Sequence, residues 1–237
     1  MRPTANTIFF DLGETLVTQN IEDNIVTKKA LEELAEILPR PVPGRDLYRT
    51  YRRGYRVNHD IRSRHHVEIP VQTWMTELLE HALKKAPSDQ LVNKAIGIIV
   101  RSRAANAVAF NDAKSTLDRL AAQRIRLGVI SNVSSHQVAL EILKHVKLHT
   151  YFEHVITSAE TGIRKPDPGI FLYALNQFGV KPGEAVHVGD SEQHDVWGAK
   201  PVGMTSVLIK DRKGKVVTDA DYHFRNLRDA TPLLESL

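Results

Sequence analysis

From Phe110-Asn111-Asp112 onward the chain alternates short apolar runs with helix-length segments, and this alternation limits the fold more than any other feature. The apolar runs are Leu127-Gly128-Val129-Ile130, His154-Val155-Ile156, Ala185-Val186-His187-Val188 and Thr205-Ser206-Val207-Leu208-Ile209. Between them lie the helix candidates Ala113 to Gln123, Gln137 to Val146, Gly169 to Gln177 and a short Asp195 to Ala199. Short, nearly continuous apolar runs read as strands buried on both faces, and helices between them serve as crossovers. The pattern predicts an α/β fold with a parallel sheet covered by helices on both sides.

One more apolar run, Thr7-Ile8-Phe9-Phe10, stands far upstream and stops abruptly at Asp11, with Gly13 just after it. It reads as a buried strand opening into a loop. From about Asn20 to Ala105 the pattern is helical instead, with candidates at Ile25 to Leu38, Arg45 to Tyr55, Val71 to Lys85 and Asp89 to Arg103. Pro41, Pro43, Gly44, Pro70 and Pro87 punctuate them. The first strand is therefore separated from the rest of its sheet by a helical insertion. This predicts a discontinuous core over residues 1–17 and 107–237, with a helical domain over 18–106.

A chain of 237 residues can bury a core of this kind with a smaller second domain. The absence of cysteine excludes disulfides, thiolate metal sites and a cysteine nucleophile. Its net charge of +4 and pI near 9.2 favour anionic ligands, and the excess is too modest to indicate nucleic acid. The segment from Met1 to Thr7 has no apolar signal core, and no apolar run approaches the roughly 20 residues of a membrane span. A cytoplasmic location is expected.

In open α/β sheets ligands bind beyond the carboxyl ends of the strands, so the residues just after each strand are the candidates for chemistry. The first strand runs into Asp11-Leu12-Gly13-Glu14-Thr15, and the Leu127 strand into Ser131-Asn132. The His154 region leads to Arg164-Lys165-Pro166-Asp167-Pro168, and the Ala185 strand to Gly189-Asp190-Ser191-Glu192-Gln193-His194-Asp195. Carboxylates, a hydroxyl and an ammonium gathered there suit a phosphoryl group and a divalent metal.

In order and spacing these segments resemble the four signature motifs of the haloacid dehalogenase (HAD) superfamily. Asp11 to Thr15 matches the family's Asp-x-Asp-x-Thr except at its second Asp. Ser131 matches the Ser/Thr of the second motif, Lys165-Pro166 the third, and Asp190 with Asp195 the acidic fourth. The helical insertion is similar to the C1-type cap of subfamily I. The resemblance covers nearly the whole chain and implies a Rossmann-like core, a cap domain and hydrolysis of a phosphoric monoester on a small phosphorylated metabolite. Asp11 is then the nucleophile, forming an aspartyl-phosphate that water cleaves. Mg²⁺ is the implied cofactor, held by Asp11, the Gly13 carbonyl and Asp190, with Asp195 near the ion or orienting Lys165. Lys165 offsets the gathered negative charge, Ser131 and the Asn132 amide hold phosphoryl oxygens, and Thr15 braces the loop.

The chain departs from the family pattern at Gly13, where phosphatases carry an acid that protonates the leaving group and then activates water. Glycine keeps the carbonyl ligand and loses the acid–base group, whose help is typically worth about 10² to 10⁴ in rate. Glu14 is adjacent, but in extended backbone its side chain points the opposite way. Two other readings stay open: a phosphate- or metabolite-binding protein impaired by Gly13, and a 2-haloacid dehalogenase. Dehalogenases of the family also lack the second Asp but carry a bulky aromatic there and use no magnesium. Gly13 and the acidic fourth motif argue against that branch.

Within the insertion, Tyr48 to His66 interleaves tyrosines with arginines and histidines. It reads either as a solvated helix face with snorkelling arginines or as a surface for an anionic substrate. No nucleic-acid-binding fold accompanies it. Asp167 before Pro168 reads as a helix N-cap, His187 as a packed strand residue and His194 as a solvated loop residue.

Overall fold

The structure is a computed structural model that describes residues 5–210 and 217–236. Met1 to Thr4, part of the segment read for a targeting signal, lie outside the described residues. The chain begins with β1 (Thr7–Phe10) and β2 (Val17–Gln19), then runs through α1 (Asp23–Glu36), α2 (Gly44–His65), α3 (Val71–Leu83) and α4 (Asp89–Asn106). There follow β3 (Ala107–Ala109), α5 (Ala113–Ala122), β4 (Arg126–Ser131), α6 (His136–His145), β5 (His154–Thr157), α7 (Ser158–Thr161) and α8 (Pro168–Phe178). The last part holds β6 (Ala185–Gly189), α9 (Trp197–Ala199), β7 (Thr205–Ile209), β8 (Tyr222–Phe224) and α10 (Leu227–Leu234).

Six strands form one parallel sheet in the order β5-β4-β1-β6-β7-β8. β1 lies inside the sheet, with Phe10 in register with Val129 of β4 and Val188 of β6. The two-residue period of a strand explains its run of apolar residues. Ile8 and Phe10 enter the core built with Leu117 of α5, Leu143 of α6 and Ala230 of α10. Phe9 faces the opposite layer, against Phe171 and Phe178 of α8. Gly128 of β4 is required there: a Cβ would come within 2.8 Å of the Phe9 and Phe178 rings.

The four inserted helices have a core of their own, with Leu31, Leu47, Met75, Leu79 and Ile99 buried together. Val138 of α6 joins that cluster, so the insertion is seated on the main body through α6. β2 and β3 pair antiparallel where the chain enters and leaves the insertion. The division expected at residue 17/18 thus falls inside β2, and that at 106/107 falls at the α4–β3 junction.

Three local expectations need correction. The helix expected over Arg45 to Tyr55 continues to His65, although only Leu47 and Asn58 on it are fully buried. Its second half lacks the apolar spacing that marks a helix in sequence; i,i+4 pairing of Asp60 with Arg64 and a left-handed cap at His66 support it instead. The helix expected over Asp195 to Ala199 is a π-turn over Glu192–Val196 followed by α9. The third is the backbone at Glu14, which is left-handed rather than extended. β2, β3, β8 and α10 were not anticipated: the strands are three residues each and partly exposed, and α10 contains Pro232. Among the described residues no helix is long and apolar enough to cross a membrane.

Candidate active site

The strand order brings the expected residues together. β4, β1 and β6 are neighbours, so Ser131 at the end of β4, Asp11 after β1 and Asp190 after β6 share one edge of the sheet. Asp11 is fastened by its main chain, its amide donating to the Val188 carbonyl at 2.8 Å. The following turn folds on itself: the Leu16 and Val17 amides both donate to the Leu12 carbonyl at 3.0 Å.

Lys165 is the centre of charge. Its Nζ donates to Asp11 Oδ1 and Asp195 Oδ1 at 2.6 Å each and to the Ile130 carbonyl at 2.8 Å. That uses all three ammonium hydrogens. Burial alone would lower the Lys165 pKa, but the two carboxylates more than offset it and raise it. The cation is therefore fixed in place, and removing it would leave two buried carboxylates without a counter-charge.

The two carboxylates differ. Burial pushes Asp11 up to about 7 against the pull of Lys165, and the nearby charges of Asp195 and Asp190 push the same way. Asp195 is also buried, yet Lys165 and His187 together hold it below the usual carboxylate range. Both its oxygens are engaged: Oδ1 by Lys165 and by His187 Nε2 at 2.8 Å, Oδ2 by the Ser191 amide at 3.0 Å. The π-turn supplies this geometry, and Gly189 makes room for it, since a Cβ there would lie 2.2 Å from the Asp195 carboxyl carbon.

Asp11, Asp190 and Asp195 each offer an oxygen within 4.8 Å of the others. The donor set is all oxygen, which suits a hard divalent cation. Burial, together with the Asp195 and Asp190 charges, outweighs Lys165 at Asp11. Distance would admit all three aspartates as ligands. Hydrogen bonding distinguishes two of them: Asp195 accepts from three protein donors, Asp11 from Lys165.

Two residues gain roles that sequence reading did not give them. His187 is buried as expected, edge-on to Phe171 at 5.1 Å between ring centroids, but its Nε2 also meets Asp195. Its Nδ1 has no partner, so the proton sits on Nε2. The Asn132 side chain grips the Lys165 main chain through two 2.9 Å bonds. A polar residue inside an apolar run, and an Asn directly after the hydroxyl residue, were the available signals. Thr15 is buried, and its hydroxyl has no partner among the described residues. Asp167 caps α8 through the Gly169 amide, and His194 is exposed, as expected of both.

Above the sheet edge, between core and insertion, lies a cavity of about 580 Å³. Gly13, Ser131 and Asn132 line it from the core, and Tyr51, Tyr55, Asn58, Arg62 and Trp74 from the insertion. Tyr48 to His66 presents different faces of α2: Arg49, Arg52 and Arg56 are exposed, while Tyr51, Tyr55, Asn58 and Arg62 line the cavity. Glu14 lines the cavity too. Its φ of 55° is left-handed, so the alternation rule that turned its side chain away does not hold there.

Residues 5–203 match the family model "haloacid dehalogenase-like hydrolase". A "glyceraldehyde 3-phosphate phosphatase" of Pyrococcus furiosus is 30% identical over 221 residues, 86% of this chain and 80% of that one. The protein of the same description from Methanopyrus kandleri is 30% identical over 213 residues, covering 88% and 84%. Among solved structures, a 2-haloacid dehalogenase from Pseudomonas syringae superposes with a TM-score of 0.72 at 26% identity, covering 98% of each chain. An HAD phosphatase from Thermococcus onnurineus gives 0.67 at 26% identity, covering 96% and 97%. The chain is a hydrolase belonging to the haloacid dehalogenase-like family.

Proposed function

We propose that the protein is a Mg²⁺-dependent phosphatase of a small phosphorylated metabolite, with Asp11 as nucleophile. The observation that carries this reading is Asp11 held between Lys165, at 2.6 Å, and the Asp190 carboxylate, beside a cavity lined by Ser131 and Asn132. Asp11 Oδ attacks phosphorus, the P–O bond to the substrate breaks, and the departing oxygen takes a proton. Water then attacks the aspartyl-phosphate, returning the Asp11 carboxylate and releasing inorganic phosphate. Lys165 offsets the charge gathered at Asp11, Asp195 keeps Lys165 ionised, and the Ser131 hydroxyl and Asn132 amide donate to phosphoryl oxygens. Asp11, Asp190 and the Gly13 carbonyl would hold Mg²⁺, which would supply positive charge to the phosphoryl group. Glu14, on the cavity wall, is the carboxylate we assign to protonate the leaving group in place of the acid missing at Gly13. The four inserted helices support a C1-type cap over residues 18–106.

The archaeal phosphatases support a small phosphorylated metabolite as the substrate class. The likeness to the Pseudomonas dehalogenase favours a second reading, halide displacement from a 2-haloacid by Asp11. Gly13 and the paired Asp190 and Asp195 weigh against it. Phosphate release from p-nitrophenyl phosphate and a phosphometabolite panel, with Mg²⁺ or EDTA, tests the proposal beside Asp11→Asn. Release that needs both metal and Asp11 is expected. Chloride release from 2-chloropropionate without phosphate release would transfer the protein to the second reading, and neither activity would leave a binding protein.

A further inference from the structure

We propose that Asn58, Arg62 and Arg164 form a second anion-binding subsite in the same cavity, so that the substrate is a phosphomonoester carrying a further acidic group. The inference rests on the phosphatase reading for the first group and on different residues for the second.

Glu68 anchors this subsite, with a side chain that is 0% exposed. Its Oε1 accepts from Arg62 Nε at 2.8 Å and from the Ile69 amide at 2.9 Å. Its Oε2 accepts from Ser158 Oγ at 2.5 Å and from Arg164 Nη1. Four donors saturate the carboxylate. The guanidinium groups are not saturated. Arg62 spends Nε on Glu68 and Nη2 on the Ile69 carbonyl, and Arg164 spends Nη1, which leaves Arg62 Nη1 and Arg164 Nε and Nη2 without an acceptor among the described residues. Two cations against one anion leave a surplus positive charge where the side chains are only 14% and 19% exposed. Both arginines line the cavity.

Asn58 gives independent support. It lies one turn before Arg62 on α2, is only 8% exposed and lines the same cavity. Its side-chain amide makes no hydrogen bond among the described residues and opens to the cavity solvent, so it is free to bond a ligand. Arg103 on the same wall has its charge balanced by Asp23 at 3.2 Å, although its buried Nε has no partner among the described residues. The unspent hydrogen bonds around Glu68 are predominantly donors with net positive charge, which selects an anion, carboxylate or phosphate, over a neutral hydroxyl. The cavity, at about 580 Å³, also exceeds what a phosphoryl group on a three-carbon body fills.

The test measures binding to Mg²⁺-loaded Asp11→Asn protein, so that it does not depend on turnover. Calorimetry compares 3-phosphoglycerate with glycerol 3-phosphate, 6-phosphogluconate with glucose 6-phosphate, and fructose 1,6-bisphosphate with fructose 6-phosphate. The first two pairs report a carboxylate at two spacings and the third a phosphate. In at least one pair the acidic member is expected to bind about 10-fold more tightly or better, the size of a charge-assisted hydrogen bond. Adding Arg62→Gln should collapse that ratio toward one, and Arg62→Lys should retain part of it. Asn58→Ala breaks no bond present in the protein, so it cannot act by unfolding a network; it should reduce the ratio as well. Ratios near one in every pair, no binding of any probe, or a preference that survives Arg62→Gln would each overturn the subsite. Metal-dependent turnover by the wild type is read separately: turnover with no acidic preference removes the subsite and keeps the phosphatase, and preference with no turnover does the reverse.

Discussion

Asn132 and Lys165 hold each other by the main chain of the lysine: Asn132 Nδ2 donates to the Lys165 carbonyl and Asn132 Oδ1 accepts from the Lys165 amide, both at 2.9 Å. This ties the end of β4, where the hydroxyl of Ser131 sits, to the segment that carries the active-site cation. Asn132→Ala removes both bonds and keeps the Asn132 backbone amide. A misplacement of about 1 Å at a reacting centre costs roughly 10²-fold, so kcat should fall on that order while KM and Mg²⁺ affinity change little. Steady-state kinetics at saturating Mg²⁺ decides it. A wild-type kcat would mean that the ion pairs of Lys165 hold it without help.

A second prediction concerns pH. In the metal-free protein Asp11 titrates at about 7, against an ordinary value of 3.8. Between those values the folded chain binds more protons than the unfolded chain, so stability falls as pH rises, and the loss is complete above about 7. Asp11→Asn cannot ionise and escapes that loss. In EDTA at pH 8 the variant should be more stable than the wild type, by up to roughly 4 kcal/mol, with the difference vanishing toward pH 4. Mg²⁺ competes with the same proton, so its affinity for the wild type should rise with pH and level off above about 7. Thermal melts across pH with and without Mg²⁺ test both statements. Parallel curves for variant and wild type would show that Asp11 is not destabilised by burial.

The sheet and three of the site's side chains were legible in the sequence because both depend on strand ends. Apolar runs such as Thr7 to Phe10 mark buried strands, and the residues just beyond them lie at the carboxyl edge, which brings Asp11, Ser131 and Asp190 into view; Lys165, eight residues past β5, came from its motif instead. Asp195 was visible as a motif residue with contact to Lys165 among its expected tasks, but its bonds to His187 and Ser191 were not, since they depend on how the π-turn folds back on β6. The second half of α2 was hidden for a different reason. Its cavity stripe of Tyr51, Tyr55, Asn58 and Arg62 has helical spacing but polar chemistry, and a rule that counts apolar residues passes over it. Glu14 was misjudged because a single left-handed φ cancels the alternation that an extended backbone would impose.

That φ sets up the last prediction. Glu14 lines the cavity and its Oε1 accepts from the Thr18 hydroxyl at 3.0 Å, so the carboxylate is held on the substrate side of the loop. If it supplies the leaving-group proton, Glu14→Gln should slow hydrolysis of an alkyl phosphate by on the order of 10², the low end of general acid catalysis. p-Nitrophenyl phosphate, whose leaving group needs little protonation, should be slowed far less. Gly13 offers an independent check. A Cβ there meets nothing within 4 Å, so aspartate fits without displacing a neighbour. Gly13→Asp in the Glu14→Gln background should restore alkyl phosphate turnover, because it returns an acid to the same loop. Equal loss on both substrates would instead assign Glu14 to shaping the loop through Thr18, and rescue by Gly13→Asp would then fail.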